Sequence, residues 1–213
     1  MRRELRALIL MTAGGLGLGQ SRPAAPGVNG VGEWMVVDVY LSDRDDSSVL
    51  LAPGAPVASG IFARIGVRLR WHAGELPWSR GTGHDRGVQA AFGIRTVGRA
   101  PESASATALA SAEVSGVPGP EITVYRDRVR RFLADHAALQ RAAAGYVLAH
   151  ELAHVMAGEP HHSDQGILKP QWSKGDMEQM VLQRLAFTDF DVESIRAGLA
   201  IRLANQRAAA GRR

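Results

Sequence analysis

The chain contains no cysteine. Disulfide staples, thiol nucleophiles, thiolate metal ligands and a cysteine-based latency switch are therefore excluded, although either redox compartment stays open. No segment is apolar over the roughly 20 residues that a membrane-spanning helix requires, so stable membrane insertion is not expected. There is no internal repeat and no nucleic-acid motif. The formal net charge is only +4, and part of the excess lies at the two ends, in Arg2, Arg3 and Arg6 and in Arg207, Arg212 and Arg213. No basic run is interleaved with aromatics, so nucleic acid is not an expected partner. The 213 residues suffice for one domain with a substantial core.

Residues 1–20 run from arginines through the apolar Ala7–Met11 to small residues ending at Gly19. This is the order of a secretory signal, with Gly17-Leu18-Gly19 offering small residues for cleavage. The expectation is export to the periplasm or beyond if the segment is a signal peptide, and a cytoplasmic protein otherwise. Residues 21–32, rich in Pro and Gly, read as a linker, residues 33–206 as a single domain and residues 207–213 as a basic tail.

Within the domain, Met35, Val37, Val39 and Leu41 alternate with Trp34, Val36, Asp38 and Tyr40, the period of a strand. Ser42 to Ser48 reads as a solvated loop, since Asp43, Asp45 and Asp46 lack the glycine and distal glutamate of a calcium loop. Val57, Ile61, Phe62 and Ile65 fall at helical spacing up to Gly66. Val67, Leu69 and Trp71 then alternate as a strand, with Arg64, Arg68 and Arg70 turned to solvent. Val88–Val97 and Ile122–Tyr125 read as further strands. Ala104–Ala112 fits either strand or helix, and Gly116–Pro120 is a break. Arg126-Asp127-Arg128 leads toward a helix over Ala137–Ala149, with Asp135 as its N-cap. Farther on, Asp176–Leu185 reads as a helix with Met177, Met180 and Val181 inward. Thr188 caps a last helix with Asp191 in its first turn and Val192, Ile195, Leu199 and Leu203 as its apolar stripe. Strands followed by a buried helix imply an α+β layer arrangement. His72 and His84 stand alone beside loops, where an imidazole is more often solvated than a ligand.

The chemistry concentrates in His150-Glu151-Leu152-Ala153-His154. Leu139, Ala143, Tyr146 and Val147 lead along one stripe into the two histidines, while Leu148, Leu152 and Val155 form a second apolar face. Such a helix is buried, and two imidazoles and a carboxylate inside it require partners. Histidines four apart project from one face a turn apart, close enough to share a zinc ion. Glu151 can reach past the metal to a bound water and take its proton as the water attacks a carbonyl. Gly158 permits a left-handed exit from the helix, and Pro160 forbids its continuation. The turn brings a third imidazole, His161 or His162, back toward the metal. Three ligands and an open position characterise a catalytic zinc site. The competing reading is a hydrogen-bonded pair of core histidines.

The run resembles the metzincin signature HExxHxxGxxH followed by a Met-turn, with two departures. Gly158 lies four residues beyond His154 rather than three, and His161 and His162 lie seven and eight beyond rather than six. As it stands, HExxHxxxGxxxHSxxGIL is similar to a variant found in predicted exported bacterial zinc-dependent peptidases, where HS is followed by Gly-Ile-Met and a tryptophan. His162-Ser163, Gly166-Ile167-Leu168 and Trp172 match that variant. The resemblance implies His162 as the third ligand beside His150 and His154, with Glu151 catalytic. It implies a twisted, mostly mixed sheet packed on a buried zinc-binding helix, followed by C-terminal helices, with an edge strand that pairs with extended substrate. The implied activity is that of a zinc-dependent endopeptidase acting on peptides or proteins. Leu168 stands where the family has the methionine that floors the metal site, and its similar volume preserves an apolar floor. Two other classes stay open. One is a zinc-binding module without catalysis, which binds a partner or uses zinc structurally. The other is a structural protein without metal.

Overall fold

The computed structural model describes residues 34–42, 47–74, 76, 90–105, 108–113, 120–135, 139–159 and 161–210. The leader and linker, Asp43–Asp46, the loop carrying His84 and residues 114–119 lie outside that set. Five strands form one sheet: β1 (Met35–Leu41), β2 (Val67–Ala73), β3 (Ala91–Val97), β4 (Ala110–Glu113) and β5 (Glu121–Tyr125), in the order β2-β1-β3-β5-β4. The first four in that order are mutually parallel, and β4 runs antiparallel to β5 at the edge. The helices are α1 (Ser47–Leu51), α2 (Ala55–Ala63), α3 (Arg126–Asp135), α4 (Gln140–Ala157), α5 (Lys174–Val181) and α6 (Asp189–Ala210). The architecture is α+β with a mixed sheet, as the sequence implies. No helix among the described residues is long and apolar enough to cross a membrane.

Strand register sorts the sheet into two unlike faces. Val37 pairs with Leu69, Val39 with Phe92, Leu41 with Ile94, Ile94 with Ile122 and Ile122 with Ala112, so one continuous buried apolar face forms. α2 lies against β2, and α4 against β4 and β5. The opposite face carries Asp38, Arg70 and His72. Here Asp38 corrects the simple alternation: it is buried, with Arg70 at 2.6 Å on one carboxylate oxygen and His72 at 2.6 Å on the other. A buried carboxylate is tolerated because both oxygens are paired. β3 also departs from alternation. It begins at Ala91, and Ala91, Phe92, Gly93 and Ile94 are all buried, because it is a central strand and Leu76 closes over Gly93.

α4 is the element around which the helices pack, touching α2, α3, α5 and α6. Every residue from Ala143 to Met156 is buried. The expected N-cap is not found. Asp135 is the last residue of α3, a helix that occupies the expected connection, and Leu139 precedes α4 with no side-chain cap. The helix begins at Gln140, and residues 136–138 lie outside the described set. Two further expectations change: the loop after β1 gives way to α1 at Ser47, and Val181 is 50% exposed rather than inward. Of the two readings open for Ala104–Ala112, strand holds at Ala110–Glu113. α5 is shorter than expected, starting from a Ser173–Asp176 capping box and ending at Val181. Thr188 caps α6 as expected: its hydroxyl accepts the Asp191 N–H at 3.2 Å.

Candidate metal centre

α4 presents His150 and His154 on one face, with ring centroids 4.7 Å apart and Nε2 atoms 3.0 Å apart. His162 arrives from the segment beyond the helix, its ring 5.4 Å from that of His150 and 4.9 Å from that of His154. One ligand atom from each of the three lies within 4.8 Å of the others. His161 is turned elsewhere, with Nε2 3.2 Å from the Ser163 hydroxyl and its ring against Phe190. His72 stacks on Tyr40 and bonds Asp38, outside the cluster, and His84 lies outside the described residues.

The chain between α4 and α5 is shaped by two glycines. Gly158 adopts φ 84°, and its N–H bonds the His154 carbonyl at 3.0 Å, ending α4 one turn after the second histidine. Gly166 has φ 73°, and a Cβ there would lie 2.3 Å from the Ala186 carbonyl oxygen, which accepts the Ile167 N–H at 3.0 Å. Only glycine fits both constraints. The Ile167 carbonyl is thereby aimed back at α4, where it accepts from Nδ1 of His150 at 2.9 Å and from the Trp172 indole at 3.1 Å. Since a carbonyl can only accept, Nδ1 of His150 holds the proton and Nε2 turns its lone pair into the cluster. The Trp172 ring packs perpendicular to that of His150, and Leu168 is buried.

Burial sets the charge state. It lowers the His150 pKa to about 3, against the Ile167 hydrogen bond and with help from neighbouring His162. Burial and then the neighbouring imidazoles hold His154 well below the usual range, and His162 is lowered by burial and by His161. Three neutral imidazoles thus converge, the form that ligates metal. Glu151 is 1% exposed, and burial pushes its carboxyl up to about 8. Neither of its oxygens, nor Nε2 of His162, has a hydrogen-bond partner among the described residues. Buried polar atoms are rarely left so. A cation among the three nitrogens would accept their lone pairs and favour a charged Glu151, so the residues fit a metal, and an all-imidazole donor set is compatible with zinc.

Two participants escape sequence reasoning. The Ile167 carbonyl is backbone and has no letter of its own. Asp191 reads as an ordinary acidic residue of a helix start, yet it is wholly buried.

No family model matches the chain, and no curated protein matches it. Among solved structures it is similar to an archaemetzincin from Methanopyrus kandleri, at 16% identity over 80% of this chain and 98% of that one, with a TM-score of 0.49.

Proposed function

We propose that the protein is a zinc-dependent metalloendopeptidase, with His150, His154 and His162 as metal ligands and Glu151 as general base. The observation that carries this reading is the buried carboxyl of Glu151, without a hydrogen-bond partner among the described residues, next in sequence to one of three neutral imidazoles whose ligand atoms converge within 4.8 Å. As core packing that arrangement is costly; as a metal site it is satisfied. Zinc bound there supplies Lewis acidity, acidifying a water and polarising the scissile carbonyl. Glu151 accepts the proton of the attacking water and returns it to the leaving amine. Ile167 keeps the His150 ring in one tautomer and orientation, while Trp172 walls the site with apolar surface. Among the described residues β4 pairs with β5 alone and lies over α4, so its outer edge is suited to an extended peptide bound through main-chain hydrogen bonds.

The test is Glu151→Gln. It is expected to keep about one zinc per chain and to lose cleavage of a peptide library, whereas His154→Ala loses the metal. Hydrolysis that survives in purified Glu151→Gln removes the assigned role. The displaced spacing of Gly158 and His162 relative to the metzincin pattern favours a second reading, a zinc-binding module without catalysis. Turnover of an unfolded protein by the wild type decides against it.

A further inference from the structure

His161 and His162 are consecutive, yet only His162 joins the cluster. The next residue, Ser163, is bonded to Asp191, 28 residues farther along the chain. We propose that Asp191, acting through Ser163, is the positioning residue that sets His162 against His150 and His154. The inference rests on the zinc reading above.

Asp191 sits in the first turn of α6 and is 0% exposed. Oδ2 accepts the Thr188 N–H at 2.8 Å, the ordinary work of a helix start. Oδ1 does something a cap does not require: it accepts the hydroxyl hydrogen of Ser163, and Nε2 of His161 lies 3.7 Å from it. Ser163 is fixed a second time by its N–H, which bonds the Leu168 carbonyl at 3.0 Å. With backbone and side chain both tied, the residue that follows His162 has little freedom. His161, drawn to the Ser163 hydroxyl and Asp191, is kept on the other side.

The anchor itself is firm. α6 crosses the end of α4 at Gly198, where a Cβ would lie 2.2 Å from the Met156 carbonyl oxygen, and Arg202 donates to the Val155 carbonyl at 2.8 Å. The helix that carries His150 and His154 and the helix that holds Ser163 are therefore locked together. All three imidazoles are positioned from one rigid pair of helices, although His162 belongs to neither. A site built this way keeps its geometry despite irregular backbone around the third ligand.

The test uses the full chain as wild type, Ser163→Ala, Ser163→Thr and Asp191→Asn. Zinc affinity is read by competition with a chromophoric chelator, the visible spectrum is read after cobalt substitution, and urea unfolding is read without metal. Ser163→Ala is expected to weaken zinc by about 10- to 100-fold and to alter the cobalt spectrum, with metal-free stability little changed. Ser163→Thr, which keeps the hydroxyl, restores affinity to within about threefold on the same reasoning. Asp191→Asn tests the carboxylate directly, and Ser163→Ala keeps the test decisive if that variant does not fold. Wild-type zinc affinity in Ser163→Ala overturns the positioning role and leaves the zinc reading intact. Equal loss in Ser163→Ala and Ser163→Thr overturns it too, since the hydroxyl would then be irrelevant. Wild type that binds no zinc overturns both readings.

Discussion

Nδ1 of His150 lies 2.9 Å from the carbonyl oxygen of Ile167, 17 residues farther along the chain. That contact fixes which nitrogen of His150 faces its neighbours, and it exists because Gly166 turns the chain. Gly166→Ala places a side chain at φ 73° and drives it into the Ala186 carbonyl. The expected cost is about 1–3 kcal/mol of stability from the strained backbone, with zinc affinity lost in proportion as the Ile167 carbonyl moves. Urea unfolding and zinc titration of the same variant check both. A variant as stable as wild type, with zinc affinity intact, would show that the segment can reach His150 by another backbone path.

Metal removal should be visible in the melting curve. A ligand that binds only the folded state at 100 times its Kd adds about 2.7 kcal/mol, which for a chain of this size corresponds to roughly 5–10 °C in Tm. Chelator is expected to lower the wild-type midpoint by that amount and to leave His162→Ala unmoved. Differential scanning calorimetry with and without chelator reads it. A wild-type midpoint indifferent to chelator, after zinc has been supplied, would remove metal from the account.

How much of this was legible depends on whether a residue's environment follows from its neighbours in sequence. α4 and its end follow from local pattern: apolar residues on most sides, then Gly158 and Pro160. α6 follows from Thr188 and the stripe through Ile195 and Leu199, both buried. α3 is written in Val129, Phe132 and Leu133, spaced three and four apart and all buried, but six arginines and aspartates around them make the segment look like a connection. Asp38 and Asp191 were beyond reach of local pattern. A carboxylate is expected at the surface, and the groups that let these two stay buried come from 32 and 28 residues away. The three-histidine cluster is intermediate: spacing brings two together, while the third depends on a turn whose direction a distant helix sets.

Asp176 gives a pH dependence whose sign can be worked out. Burial alone would raise its pKa, but hydrogen bonds from Lys169 at 2.5 Å and from the Ser173 hydroxyl and N–H, both at 2.7 Å, outweigh burial and hold it below the usual carboxylate value. A depressed folded-state pKa contributes stability that is present above the unfolded value and lost as pH falls through the folded one. Asp176→Asn is therefore expected to cost about 1 kcal/mol near neutral pH, the size of a helix-cap contribution, and to cost progressively less in acid below the normal carboxylate range. Urea midpoints of wild type and variant across that range should converge. A gap that stays constant with pH would mean that the side chain acts through shape rather than charge.

The contact of α4 with α2 and with the turn just before it rests on two glycines, and a third supplies its control. A Cβ on Gly145 would lie 2.5 Å from Cβ of Val57 and 2.8 Å from the Gly54 carbonyl oxygen, and one on Gly54 would lie 2.4 Å from the Gly145 nitrogen. Gly60 in α2 is exposed, with nothing within 4 Å of its Cβ position. In a helix interior, glycine to alanine gains about 1 kcal/mol from backbone entropy alone. Overpacking a buried contact costs about 1–3 kcal/mol, and at Gly145 the obstructing atoms are backbone and a branched Cβ that no rotamer change can withdraw. Gly60→Ala is therefore expected to stabilise by up to about 1 kcal/mol, and Gly145→Ala to destabilise by about 1–2 kcal/mol net of the same gain. Because Gly145 lies five residues before His150 on the same helix, Gly145→Ala should also weaken zinc, while Gly60→Ala leaves it unchanged. Opposite signs in urea unfolding support close helix contact as the reason for glycine at Gly145. Stabilisation by both substitutions would mean that α2 and α4 can separate to admit a methyl group, and that the helix carrying His150 and His154 is held less tightly than its neighbours imply.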